Sequence, residues 1–196
     1  MVGYTAIAVV LGLVAGLAAG GRPANAAHHT LRWWPALAAG AAAQWVPELL
    51  DVPEEAAVAA VLLSYAALAA FTVANLRLIG MPVVLLGLAL NIVVIGANGG
   101  MPVRASAIVD AGITSSRLEI AALDFGSKRH LEEDDDRLMI LADVIPVAPL
   151  REVLSFGDLI LAAGISDVVF RLLRPARTQG RIRRPTPAER SPAASA

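Results

Sequence analysis

Five polar side chains stand out because of where the sequence puts them. Asn91, Asn98, Asp143, Asp158 and Asp167 lie within or against apolar stretches. A charge in such surroundings costs several kcal/mol or is avoided by protonation, which makes an ionisable residue there a functional candidate. Asn98 opens the Asn98-Gly-Gly100 cluster, a breaker that lets the backbone turn sharply at the membrane surface. Each residue also has a structural alternative. Ser155 stands three residues before Asp158, a variant of the capping box that would make Asp158 a helix cap. Asp143 reads equally as an exposed loop residue at a membrane interface. Asp167 can pair with Arg171 one helical turn on. Asn91 lies inside an apolar run, where its amide must face another helix or a wet cavity.

Other familiar chemistries lack their residues. There are no cysteines, which removes disulfides, thiol nucleophiles and thiolate metal sites. The run Glu132-Glu-Asp-Asp-Asp136 is oxygen-rich, as calcium and magnesium prefer, but it is one contiguous stretch and reads as a solvated loop. His28 and His29 are separated from His130 by the apolar segments. Ser106, Ser115, Ser116 and Ser155 have no base partner nearby and no nucleophile-elbow setting. Asn98-Gly-Gly100 lacks the spacing of a phosphate loop. No metal, cofactor or nucleic acid is expected.

The elements that position these residues are apolar. The 196 residues are 57% hydrophobic and 17% charged, against about 25% charged in a soluble domain. The pattern predicts an all-α membrane protein with about five transmembrane helices, over 4–20, 33–50, 56–74, 78–97 and 156–173. The first could instead be a signal peptide, since Ala24-Asn-Ala26 resembles a cleavage site, but Met1–Tyr4 carries no basic residue. Gly12, Gly16 and Gly20 share one helix face, suited to close packing against a later segment or to dimerisation. The second segment is alanine-rich and the least hydrophobic. Residues 1–173 form the membrane domain, and the Arg- and Pro-rich tail 174–196 reads as disordered.

Arginine placement predicts the threading. Arg22, Arg32 and Arg77 fall in the first and third connections, and seven arginines fall from Arg171 onward. The second connection holds Asp51, Glu54 and Glu55 and no basic residue. The positive-inside bias then places the C-terminus in the cytoplasm and the N-terminus outside. Segment 98–155 becomes an extracytoplasmic helical or interfacial element, with helices expected over Ala105–Ala111 and Ser115–Asp124. Within it, 138–150 is too short to span and is expected to lie in the interface or cap the bundle.

Asn98-Gly-Gly-Met-Pro-Val103, Asp136-Arg-Leu-Met-Ile-Leu-Ala-Asp-Val-Ile-Pro146, Ser155-Phe-Gly-Asp158 and Gly164-Ile165 form a pattern. The chain from Val2 to Leu173 thereby resembles a family of small bacterial multi-pass membrane proteins known only as a domain of unknown function. The family pattern has Gly-Asp where this chain has Ala142-Asp143, and threonine where it has Asp136. The resemblance implies a bacterial inner-membrane location and no particular activity.

Two functions follow. The first is a scaffold or accessory subunit that binds a partner protein or lipid through the outer element. The alternative is a membrane-embedded enzyme or carrier for an apolar substrate (isoprenoid, quinone or lipid), using carboxylates at the outer mouth of the bundle. A cleft shared by two of Asn91, Asp143, Asp158 and Asp167 would favour the second, and widely separated carboxylates would oppose it.

Overall fold

A computed structural model describes residues 2–45, 49–50, 53–120, 123 and 125–175. The long helices are α1 (Val2–Ala18), α4 (Glu54–Ala74), α5 (Met81–Asn98) and α8 (Phe156–Leu172), with shorter α2 (Pro23–Ala26) and α3 (Trp34–Ala43) between the first two. Between α5 and α8 lie β1 (Met101–Val103), α6 (Ala105–Asp110), α7 (Arg117–Ile120), β2 (Arg129–Leu131), β3 (Ile145–Val147) and β4 (Glu152–Leu154). The helices stand side by side in the order α1–α8–α5–α4–α3. The short link between α4 and α5 makes them neighbours, as their spacing predicts.

The expectation of an all-helical chain is corrected. β1 pairs with β2 in parallel and β3 with β4 antiparallel, so the segment between α5 and α8 is a mixed cap. Proline is the local reason: Pro102 and Pro146 favour extended backbone and cannot sit inside a helix. The remaining backbone groups find partners across strands. The predicted helices in this segment shrink to Ala105–Asp110 and Arg117–Ile120, while Ala121, Ala122 and Asp124 lie outside the described residues. Ala142 is buried in the core of the helix bundle, with Met139 and Leu141 packed against it. Segment 138–150 therefore caps the bundle.

Among the described residues two helices, Glu55–Ala74 and Met81–Asn98, are long and apolar enough to cross a membrane. The helices described in the other three predicted spans are shorter than these two, and residues 46–48 of the second span lie outside the described residues. α1 and α8 have 17 residues each and α3 has 10, about 26 Å and 15 Å at 1.5 Å per residue. Asp51 and the tail from 176 lie outside the described residues.

Small residues let the backbones approach. A methyl group on Gly12 would lie 2.6 Å from the Ser166 carbonyl, one on Gly87 2.7 Å from the Leu161 backbone nitrogen, and one on Gly164 2.6 Å from that of Val84. Gly12 and Gly16 of the predicted glycine face thus pack against α8, while Gly20 lies past the end of α1 with open space around it. The far end of the bundle gathers arginines. The Arg22 N–H donates to the Leu173 carbonyl at 2.8 Å at the C-terminal end of α8. Asn75 at the end of α4 pairs with the Arg32 backbone at 2.9 and 2.7 Å, and Gly80 lies against Asp167 and Val168 of α8.

Close α5–α8 packing predicts that Gly164→Leu destabilises the fold by about 1–3 kcal/mol through overpacking. Gly96, with open space around it, should accept alanine without loss. Thermal unfolding of both variants in detergent checks this.

Candidate functional site

Ser155 caps α8, its hydroxyl accepting from the Asp158 N–H at 3.0 Å while the Ser155 N–H donates to Asp158 Oδ2 at 3.2 Å. The capping box read from sequence is present, but it accounts for only part of Asp158. Its Oδ1 also accepts from Tyr4 Oη at 3.0 Å and from Asn91 Nδ2 at 2.8 Å. Ser155 Oγ in turn donates to Asn91 Oδ1 at 3.1 Å. Asn91 and Ser155 are fully buried and Asp158 nearly so. Gly157 leaves the space for this arrangement, because any side chain there would collide with the Asn91 amide. One turn of α8, the middle of α5 and the start of α1 therefore meet through a single carboxylate.

Asp143 is the second buried carboxylate. Its position as an exposed loop residue is corrected: the side chain is 1% accessible. The cause is backbone pairing. The Asp143 N–H donates to the Pro102 carbonyl at 3.0 Å and its carbonyl accepts from the Arg104 N–H at 3.0 Å, so Asp143 lies beside β1 and is carried under the cap. Arg129 on β2 reaches it, Nε standing 2.8 Å from Oδ2. Neither group is aligned for a hydrogen bond there, and among the described residues neither Asp143 oxygen accepts one. The pair is held by charge. Burial pushes the Asp143 carboxyl up to about 7, with Arg129 opposing the rise and Asp158 adding to it.

Both carboxylates face one cleft. Gln44, Tyr65, Lys128, Arg129, Asp143 and Asp158 are its polar lining residues, and Val61, Ile95 and Met101 its apolar ones. Its enclosed part has room for about one water molecule. A larger guest must part side chains to enter. The chemistry available is a carboxyl that exchanges its proton near neutral pH, next to a guanidinium able to hold an anion.

Two predicted site residues lie elsewhere. Asn98 ends α5 and holds the cap, donating to the Arg137 carbonyl at 2.9 Å and accepting from the Arg137 N–H at 2.7 Å. Asp167 sits towards the arginine end, bound to Arg171 Nε at 2.8 Å, as its spacing predicts. Of the acidic run, Asp136 pairs with His130 at 2.9 Å and Glu132 accepts from the Ala105 N–H at 2.9 Å.

Tyr4, Tyr65, Lys128 and Arg129 are site residues that were not singled out from the sequence. A signal was available. Tyr4 and Tyr65 are the two tyrosines of the chain, both inside apolar helices, and Lys128 is its single lysine.

The model of a family of unknown function, DUF5317, matches residues 28–170. The chain belongs to this family. No curated protein and no solved structure matches it. The DUF5317 match takes in Tyr65, Asn91, Arg129, Asp143 and Asp158 and begins after α1. Tyr4 therefore completes the Asp158 cluster from a helix outside the matched DUF5317 residues.

The state of Asp143 sets a pH dependence. Its carboxyl ionises less readily in the fold than in an unfolded chain, where the value is about 4. Its contribution to stability should be full below about pH 4 and decline as pH rises to about 7. Asp143→Asn should remove this decline, checked by thermal melts of both proteins between those limits.

Proposed function

We propose that this DUF5317 chain is a multi-pass protein of the bacterial inner membrane that binds the polar end of an isoprenoid, quinone or other lipid at its outer mouth, as enzyme or carrier. The observation that carries this reading is the cleft in which Asp143 and Asp158 meet, together with Tyr65 and Arg129. Two carboxylates in one cleft is the arrangement that distinguishes this reading from a scaffold. A head group would meet the polar lining residues while Val61, Ile95 and Met101 receive its first carbons.

The membrane part of the reading is supported by α4 and α5, which are long enough to span. It is supported too by outward-facing apolar residues on α1, α4 and α5: Val10, Leu63 and Leu86 are 54%, 71% and 52% exposed. Such faces suit lipid rather than water. With arginines gathered at the end away from the cap, the positive-inside bias puts the cap and cleft outside. A scaffold role for the cap has one observation in its favour, the exposed Leu138 and Ile140 beside the bundle.

Because the chain has no cysteine, single cysteines report threading cleanly. Asp134→Cys should react with an impermeant maleimide on intact cells, and His28→Cys only after permeabilisation; the reverse pattern would invert the topology. For function, native mass spectrometry with lipidomics on protein from its own membrane should find a stoichiometric lipid or quinone. That ligand should be depleted in at least one of Asp143→Asn and Asp158→Asn. Bulk phospholipid alone, or a co-purifying protein indifferent to both variants, would favour the scaffold.

A further inference from the structure

Asp143 and Asp158 share the cleft on different terms. Asp158 accepts three hydrogen bonds, from Tyr4, Asn91 and Ser155, and moving it would unpair all of them. Among the described residues Asp143 accepts none, and the partner closest to its carboxylate is the poorly aligned Nε of Arg129. Its backbone is pinned on both sides by β1 and the start of α6, so its side chain can swing without the cap opening. Arg129 keeps an anchor when Asp143 leaves, since Nη2 donates to the Val153 carbonyl at 3.3 Å. We infer that the cleft takes a singly charged anionic head group together with one proton: the anion displaces Asp143 from Arg129, and Asp143 leaves as the neutral acid. The inference rests on the cleft reading above and names its ligand chemistry and its coupling.

Charge balance requires the proton. The groups acting on Asp143 are Arg129 on β2, Lys128 just before it, Asp158 on α8, Tyr65 on α4, Glu152 on β4 and the N-terminal ammonium. Three carboxylates, Asp143, Asp158 and Glu152, thus stand against three cations, Arg129, Lys128 and the N-terminal ammonium. Adding an anion alone leaves an excess negative charge in a buried place, a costly imbalance. Adding an anion with a proton restores neutrality. No bond other than the O–H is made: the proton comes from solvent, and the ion pair passes from Asp143–Arg129 to anion–Arg129. With the Asp143 carboxyl already pushed up to about 7, this protonation costs little near neutral pH.

Isothermal titration of the full chain in neutral-detergent micelles tests the coupling, with dihexanoyl phosphatidylglycerol as the probe because its phosphodiester keeps one charge across the range used. Binding at about pH 8, in two buffers of different ionisation heat, should take up close to one proton per lipid. Affinity should be flat below about pH 7 and fall by up to about tenfold per unit above it. Asp143→Asn should bind without proton uptake or pH slope, and Arg129→Gln should lose at least about tenfold in affinity. Dimethyl phosphate separates the sources: weak binding assigns the site to a lipid, whereas equal, proton-coupled binding keeps the exchange and assigns it to a soluble anion. Binding of phosphatidylglycerol with no proton uptake, or an unchanged pH slope in Asp143→Asn, overturns the inference. If dihexanoyl phosphatidylcholine binds as well and is lost in Asp158→Asn, the anion–proton exchange is wrong while the cleft reading survives. If no amphiphile binds, both fall.

Discussion

The Asp158 carboxylate, buried in the first turn of α8, is the joint on which the bundle depends. Its two oxygens accept from α1 through Tyr4, from α5 through Asn91, and from the backbone that leads into α8. A carboxylate away from water costs several kcal/mol unless its lone pairs are engaged. Each of these donors is therefore needed by the others. The same contacts set where α8 begins, and so where β4 and the rest of the cap are delivered to the bundle end.

Such a joint demands that α5 and α8 lie unusually close. Gly87, Gly157 and Gly164 permit it, each placed where a methyl group would meet the facing helix. Close backbone packing and internal hydrogen bonds join these helices. The α3–α4 contact follows the same rule, with Ser64 donating to the Gly40 carbonyl at 2.7 Å. Polar groups in this bundle act mainly as connectors. Asn75 and Asn98 do at the two ends what Asn91 does inside.

Against that background Asp143 is the exception. It is as deeply buried as Asp158, yet among the described residues its oxygens receive no hydrogen bond, and the partner closest to its charge is one guanidinium. A satisfied network resists change because every member would be left unpaired, whereas a half-satisfied group gains from a new partner or a proton. The fold thus places a locked carboxylate and a releasable one on the same cleft. The first gives the second a fixed frame, and this separation of roles is what gives the cleft its chemical interest.

Much of this was legible in the chain itself. The apolar runs around 2–18, 54–74, 81–98 and 156–172 determined the long helices, because an uninterrupted apolar stretch bounded by glycine, proline and charge has few other ways to satisfy its backbone. Ser155 and Asp158 determined a cap, and Asp167 with Arg171 a one-turn ion pair, because both depend on spacing along a single helix. Only the tertiary structure decided the rest. That Tyr4 meets a residue 154 positions later, that Asp143 is buried rather than exposed, and that Arg129 rather than a neighbouring arginine faces it all depend on how the cap folds back. That fold rests on strands of three residues, with Met101 of β1 paired far along the chain with Arg129 of β2, and β3 and β4 joined as a short hairpin. Strands so short leave almost no periodicity to read. Their pairing is chosen by backbone groups seeking partners, and backbone groups are the same in every residue but proline.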